Sequence, residues 1–227
     1  MTDISNNHPN EEMLLAFLDG TLLMGFSVAV SAHLESCEQC REAVSGMTEK
    51  VSTDWYENIG QDWDMDFSGV IDEIVENEEA PVIGSKKTAA ATTARIRDRR
   101  IELPGLLAEL TVDLEWKEVA KGIYQGLVNL DPKTKFEFIC MDPGSRVPMH
   151  THLGREVMLV LDGDISDRMG EYAVGDFVLL GQKDFHGQVT EGGCICLFVT
   201  DAPLLFKEGI ARLMNPINRI KHWLASR

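Results

Sequence analysis

Three side chains with soft donor atoms stand within eight residues in His33-Leu-Glu-Ser-Cys37-Glu-Gln-Cys40, a spacing of H-x3-C-x2-C. Two cysteines three positions apart can place both sulfurs on one cation. A histidine four positions earlier adds an imidazole if the chain turns there as at a helix end. Zinc closes a tetrahedron with such ligands. A fourth donor is then needed, and His8 is the only other histidine or cysteine in residues 1–80. An aspartate or a water could replace it, and without a metal Cys37 and Cys40 would be core thiols or a redox pair.

A second set of donors lies in the other half of the chain. Gly144-Ser-Arg-Val-Pro-Met-His150-Thr-His152-Leu-Gly-Arg-Glu156-Val-Met-Leu-Val-Leu-Asp-Gly163 has the spacing G-x5-H-x-H-x3-E-x6-G. Residues two apart on a strand share one face, so His150 and His152 point together, and Glu156 comes from the next stretch of strand. Two imidazoles and a carboxylate suit a divalent metal, zinc or another first-row ion. The spacing is similar to the first cupin motif at every defined position. In the second motif the chain keeps the leading Gly175 and the ligand His186. Gly181, Lys183 and Thr190 stand where that family has proline, glycine and asparagine. The resemblance implies a barrel holding His150, His152, Glu156 and His186 around one metal.

Elements must carry these donors. Met13, Leu14, Phe17 and Leu18 recur on one helical face, with Glu11 and Glu12 in the first turn and Gly20 at the end. A second helix is expected from Thr21 towards Leu34, apolar nearly all round and hence buried. His33 ends it, and Cys37 and Cys40 open a third helix, where a helix N-terminus favours thiolates. Phe67, Val70, Ile71, Ile74 and Val75 form an amphipathic stripe among acidic residues. It either packs on its own domain or docks into a partner. Residues 81–100 look like a linker: small and polar from Gly84, then the basic run Arg95-Ile-Arg-Asp-Arg-Arg100, expected to stay solvated. From Ile101 short strands alternate with turns. Cys140, Cys194 and Cys196 are expected in the core, and Met149 beside a ligand is a candidate for oxidation. The fold class is α+β in two domains: a small all-α helical domain over residues 1–80, then an all-β cupin (jelly-roll) barrel over 101–227.

Charge separates the halves. Residues 1–80 carry 18 acidic side chains against Arg41 and Lys50, whereas 81–227 balance at 19 of each, so the whole net charge of −16 sits in the first third. That disfavours direct nucleic-acid binding and favours a basic protein partner. No apolar run is long enough to cross a membrane, and Met1–Asn7 lacks the features of a signal peptide. A C-x2-C beside a histidine fits a reducing cytoplasm.

The H-x3-C-x2-C with an upstream histidine resembles the zinc-binding anti-sigma domain. Followed by a cupin, with Arg146-Val-Pro-Met-His-Thr-His and the tail Ala211-Arg-Leu-Met-Asn-Pro216, the chain is similar to the ChrR type of anti-sigma factor. The resemblance implies zinc at His8, His33, Cys37 and Cys40, a metal in the cupin, and an extracytoplasmic-function (group IV) sigma factor as partner. It implies inhibition of that factor until oxidative or photo-oxidative stress, no catalytic residues, and a homodimer through the cupin. The competing expectations are a metal-dependent cupin dioxygenase and a small-ligand sensor.

Overall fold

The computed structural model describes residues 7–58, 91–206 and 215–216. The amphipathic stripe at 67–75 and most of the expected linker lie outside the described residues. Helices α1 (Glu11–Leu18), α2 (Met24–Ser36) and α3 (Glu38–Asn58) form the N-terminal region. Asn10 caps α1 by accepting the Met13 amide at 2.9 Å, and Met13 and Leu14 turn inward. Gly20 follows at φ 68°, the left-handed conformation that ends a helix at least cost. The second helix starts three residues later than expected. Thr21 and Leu22 still bond back to the Ala16 carbonyl, which closes the α1 turn before α2 begins.

The rest is mostly antiparallel sheet. Its central strands are β4 (Ile123–Val128), β5 (Lys135–Met141), β10 (Cys194–Thr200) and β7 (Glu156–Ser166), in the order β4-β5-β10-β7. β3 (Trp116–Ala120) and β8 (Glu171–Ala173) lie outside these, and β9 (Phe177–Leu180) also pairs with β7. β6 (His150–His152) and β11 (Leu204–Phe206) form a separate pair.

Both faces of β5 and of the first half of β7 are largely buried, and every residue of β10 is covered. Cys194, Cys196 and Phe198 join Met158, Val160 and Val178 in an inner core. Ile195, Leu197 and Val199 face the other way, into a core shared with α1, α2 and the short helix α4 (Gly105–Thr111). The continuous apolar run of β10 and the all-round apolar α2 thus explain each other: each is the other's cover. Helical region and sheet share one hydrophobic core across the expected domain boundary.

The contact is close. Gly25 lies so near the sheet that a Cβ there would stand 2.4 Å from Thr134 Oγ1 and 2.9 Å from Val199 Cγ1. Its amide, one of the unpaired donors at the α2 N-terminus, donates to Asp131 Oδ2 at 3.1 Å. The Arg155 guanidinium covers the Phe26 ring, and Glu35 accepts the Gly105 amide at 3.1 Å.

The end of the expected linker is ordered structure instead. β1 (Thr92–Ile96) and β2 (Arg99–Leu103) form a hairpin whose Ile96, Ile101 and Leu103 are buried. The basic run is not merely solvated. Arg97, at φ 53° in the hairpin turn, stacks on Tyr124 and reaches Asp142 at 3.3 Å, while Arg99 pairs with Asp162. Buried hydrophobics alternating with arginines aimed at Asp142 and Asp162 override the loop-like composition. Placing a large side chain at Gly25 should pry α2 from the sheet. Gly25→Leu is expected to cost about 1–3 kcal/mol in denaturant unfolding and to speed proteolysis of residues 20–36.

Candidate metal centres

Among the described residues, two groups of His, Cys, Asp and Glu bring ligand atoms within 4.8 Å of one another: His8, His33, Cys37 and Cys40, and His150, His152, Glu156 and His186. All eight residues singled out by spacing are therefore gathered, four to a cluster.

In the N-terminal cluster His33 lies in the last turn of α2, Cys37 at its C-cap, and Cys40 in the first turn of α3. His8 comes from the segment ahead of α1. Its Nδ1 lies 3.2 Å from His33 Nε2, 3.4 Å from Cys37 Sγ and 3.3 Å from Cys40 Sγ. Nδ1 of His33 donates to the Gly175 carbonyl at 3.0 Å, which places the proton there and leaves Nε2 as the free donor to the cluster. Burial, and then His8, hold the His33 pKa down at about 4, so the imidazole is neutral at pH 7, as a ligand must be. Burial pushes Cys40 up to about 12, helped by Cys37 beside it, so a thiolate there needs a cation. Two imidazoles and two sulfurs around one point fit zinc.

The second cluster sits inside the sheet. β6 carries His150 and His152, β7 opens with Glu156, and His186 is held against β6 by a mutual backbone pair with His150 at 2.8 and 3.0 Å. His150 Nδ1 donates to the Pro148 carbonyl at 2.8 Å, freeing Nε2. His152 Nε2 lies 3.1 Å from His186 Nε2 and 3.3 Å from Glu156 Oε2. All four residues are buried, and Glu156 Oε1 has no hydrogen-bond partner. A buried carboxylate oxygen left unpaired amid three converging imidazoles is costly unless a cation fills the space, so the residues fit a divalent metal. Burial would raise Glu156, but His152, His150 and His186 outweigh it and hold the carboxyl below its ordinary range.

Spacing did not disclose the surroundings of the ligands. The Asp167 carboxylate, its side chain 1 % exposed, lies 3.7 Å from His186 Nδ1 and accepts from the Tyr172 hydroxyl at 3.2 Å. Gly175 and Asn7 hold the N-terminal cluster through backbone groups that no side chain advertises. Asp184 accepts the Gly181 amide at 2.7 Å, as a turn acid does. Met149, half-buried, lines a cavity of about 360 Å³ with Arg146, Asp167 and Gln188, next to the cupin ligands. Cys140, Cys194 and Cys196 are buried free thiols.

Residues 107–204 match the family described as the ChrR cupin-like domain. Over 94% of its length the chain is 29% identical to the anti-sigma-E factor ChrR of Cereibacter sphaeroides, covering 98% of that protein, so the likeness extends beyond the cupin-like half into the helical region. The chain is thus similar to the ChrR anti-sigma factor, with the family match itself confined to the cupin-like half. The crystal structure of Rhodobacter sphaeroides SigE in complex with the anti-sigma ChrR contains a chain matching 86% of this one and 99% of itself, at 26% identity and a TM-score of 0.66. The chain is thus helical at its N-terminus and cupin-like thereafter, and no described helix is long and apolar enough to cross a membrane.

The lowered histidines make metal-free protein acid-sensitive. Burial, the largest cause, lowers His150 from 6.5 to about 4 despite Glu156 nearby. The unfolded chain therefore takes up this proton first, and stability present above pH 6.5 is lost as pH falls towards 4. Metal-stripped protein should lose about 2 kcal/mol from His150 alone between pH 7 and pH 5 in denaturant titrations. Metal-loaded protein should hold its stability further down the pH scale.

Proposed function

We propose that this protein is a cytoplasmic anti-sigma factor that binds and inhibits an extracytoplasmic-function sigma factor, and releases it under oxidative or photo-oxidative stress. The observation that carries the reading is the joint occurrence of both four-residue clusters in a chain alignable with the ChrR anti-sigma factor over 98% of that protein.

In this reading His8, His33, Cys37 and Cys40 hold zinc. Bound there, zinc would crosslink the segment before α1 to the α2–α3 junction and rigidify a region with few core residues of its own. The acidic first third of the chain supplies the potential that attracts a basic face of the partner. Nucleic acid is not a direct partner, since its phosphates meet the same negative charge.

His150, His152, Glu156 and His186 hold a divalent metal, and the cupin serves as sensor, with no residue in a catalytic role. Asp167 is positioned to orient His186, and Met149 offers a sulfur that peroxide or singlet oxygen could convert to a sulfoxide beside the ligands. Two copies pairing through the cupin complete the proposal.

Cys37→Ser should lose one equivalent of zinc per chain and most of the sigma factor that co-purifies with the wild-type chain, while His150→Ala should retain basal inhibition. In cells, a sigma-dependent reporter should be constitutively on with Cys37→Ser and poorly induced by singlet oxygen with His150→Ala. An isolated wild-type chain that consumes oxygen with an organic substrate and captures no sigma factor would reverse the assignment in favour of a dioxygenase. Light scattering of the free chain and of the complex reads the pairing.

A further inference from the structure

The two clusters are joined by one short strand. β9 pairs with β7 so that Leu180 stands opposite Glu156, a donor of the cupin cluster. At the other end of the strand, Phe177 donates its amide to the Asn7 carbonyl at 3.0 Å, one residue before His8. Two residues earlier the Gly175 carbonyl receives the proton of His33 Nδ1 at 3.0 Å. The Phe177 ring packs edge-on against the His33 ring, with centroids 5.5 Å apart. Two of the four N-terminal donors are therefore oriented by backbone of β9 and its leading turn, and that strand is in register with a donor of the other site.

Groups that hold the second nitrogen of a ligating histidine fix its tautomer and its aim, and their loss commonly weakens metal binding by about 10–100-fold. Here the holding group belongs to the other half of the chain, 142 residues away in sequence. Glu156, His150, His152 and His186 would hold a metal together, which would fix the start of β7, with it β9, and with β9 the Gly175 carbonyl. Glu156 Oε1 has no hydrogen-bond partner and stands 3.8 Å from His186 Nε2, so without that metal it would be less firmly held, and the start of β7 with it.

We propose that the two metal sites are thermodynamically linked through β9: metal in the cupin tightens the His8, His33, Cys37, Cys40 site, and losing it loosens that site. Gly175 and Phe177 are the positioning residues. Linkage is reciprocal, so zinc in the N-terminal site tightens the cupin site by the same factor. The inference rests on the reading of both clusters as metal sites, and it gives the cupin a physical route to the zinc clip without a contact between the ions.

The test is cobalt(II) titration of the full chain. Only a cysteine-ligated ion gives a thiolate-to-cobalt charge-transfer band, so this absorption reports the N-terminal site alone even when the cupin also fills. Gly175→Ala strains a residue at φ +95° where a Cβ meets nothing within 4 Å, so it shifts the carbonyl without a clash. It should raise the cobalt concentration needed for half the band about tenfold. Gly20→Ala imposes the same kind of strain at φ +68°, also in open space but at the end of α1, and should leave the titration unchanged. Glu156→Gln removes a cupin donor and should weaken the same band about tenfold. His150→Ala repeats that arm through a different element. Wild-type band titrations in both cupin variants would overturn the linkage, and equal weakening by Gly175→Ala and Gly20→Ala would overturn the positioning role. A wild-type chain that binds cobalt with no thiolate band would instead remove the N-terminal metal reading on which the inference rests.

Discussion

The structure depends on covering the outer face of the β5-β10-β7 sheet. Ile195, Leu197 and Val199 of β10 and Val157, Leu159 and Leu161 of β7 form an apolar surface that water would otherwise meet. α2 provides the cover, with Phe26, Ala29, Val30 and Ala32 buried. Burying such apolar surface stabilises by roughly 25 cal/mol per Å², and polar contacts surround it. Those contacts set its register: Asp131 receives the first turn of α2, and Gly175 receives the histidine in its last turn. A helix held at both ends and along one side places His33 and Cys37 in a fixed relation to the sheet.

Much of this was legible from residue order. Ligand sets written in short spacings, His33-x3-Cys37-x2-Cys40 and His150-x-His152-x3-Glu156, survive any uncertainty about strand ends, because a metal constrains its donors locally. His186 was legible through its distance from Gly175 although the turn residues between them depart from the cupin pattern. The apolar runs of α2 and β10 announced two buried elements. That they bury each other was not legible, since periodicity reports a buried face and is silent about what covers it. The hairpin at 92–103 escaped because its Ala- and Thr-rich start resembles a linker, and its stabilising partners, Asp142 and Asp162, stand far along the chain.

The surroundings of the ligands were hidden for a different reason. Gly175 and Asn7 act through a carbonyl oxygen, which every residue possesses. A glycine at positive φ is visible in sequence only as a turn signal, and Gly175 served as the first residue of a cupin motif in that reading. Its second task, holding an imidazole of another region, leaves no trace in residue type. Asp167 was hidden in the same way, as one acid among several in a turn-rich stretch.

The Gly25–Asp131 bond spans 106 residues of chain, and α2 leaves the ribosome long before the strands that cover it. Until the segments from β1 onward are made, Phe26, Ala29 and Val30 have only α1 and α3 to pack against. Folding of such distant contacts pays its loop-closure entropy late, and apolar surface exposed meanwhile is available to other chains. Nascent chains of this kind therefore pass through a stage in which the helical region is made, is sticky, and has no sheet to rest on. A zinc ion captured at that stage by His8, His33, Cys37 and Cys40 would order the helices well ahead of their cover, which makes metal supply during translation a determinant of how much chain reaches the finished fold.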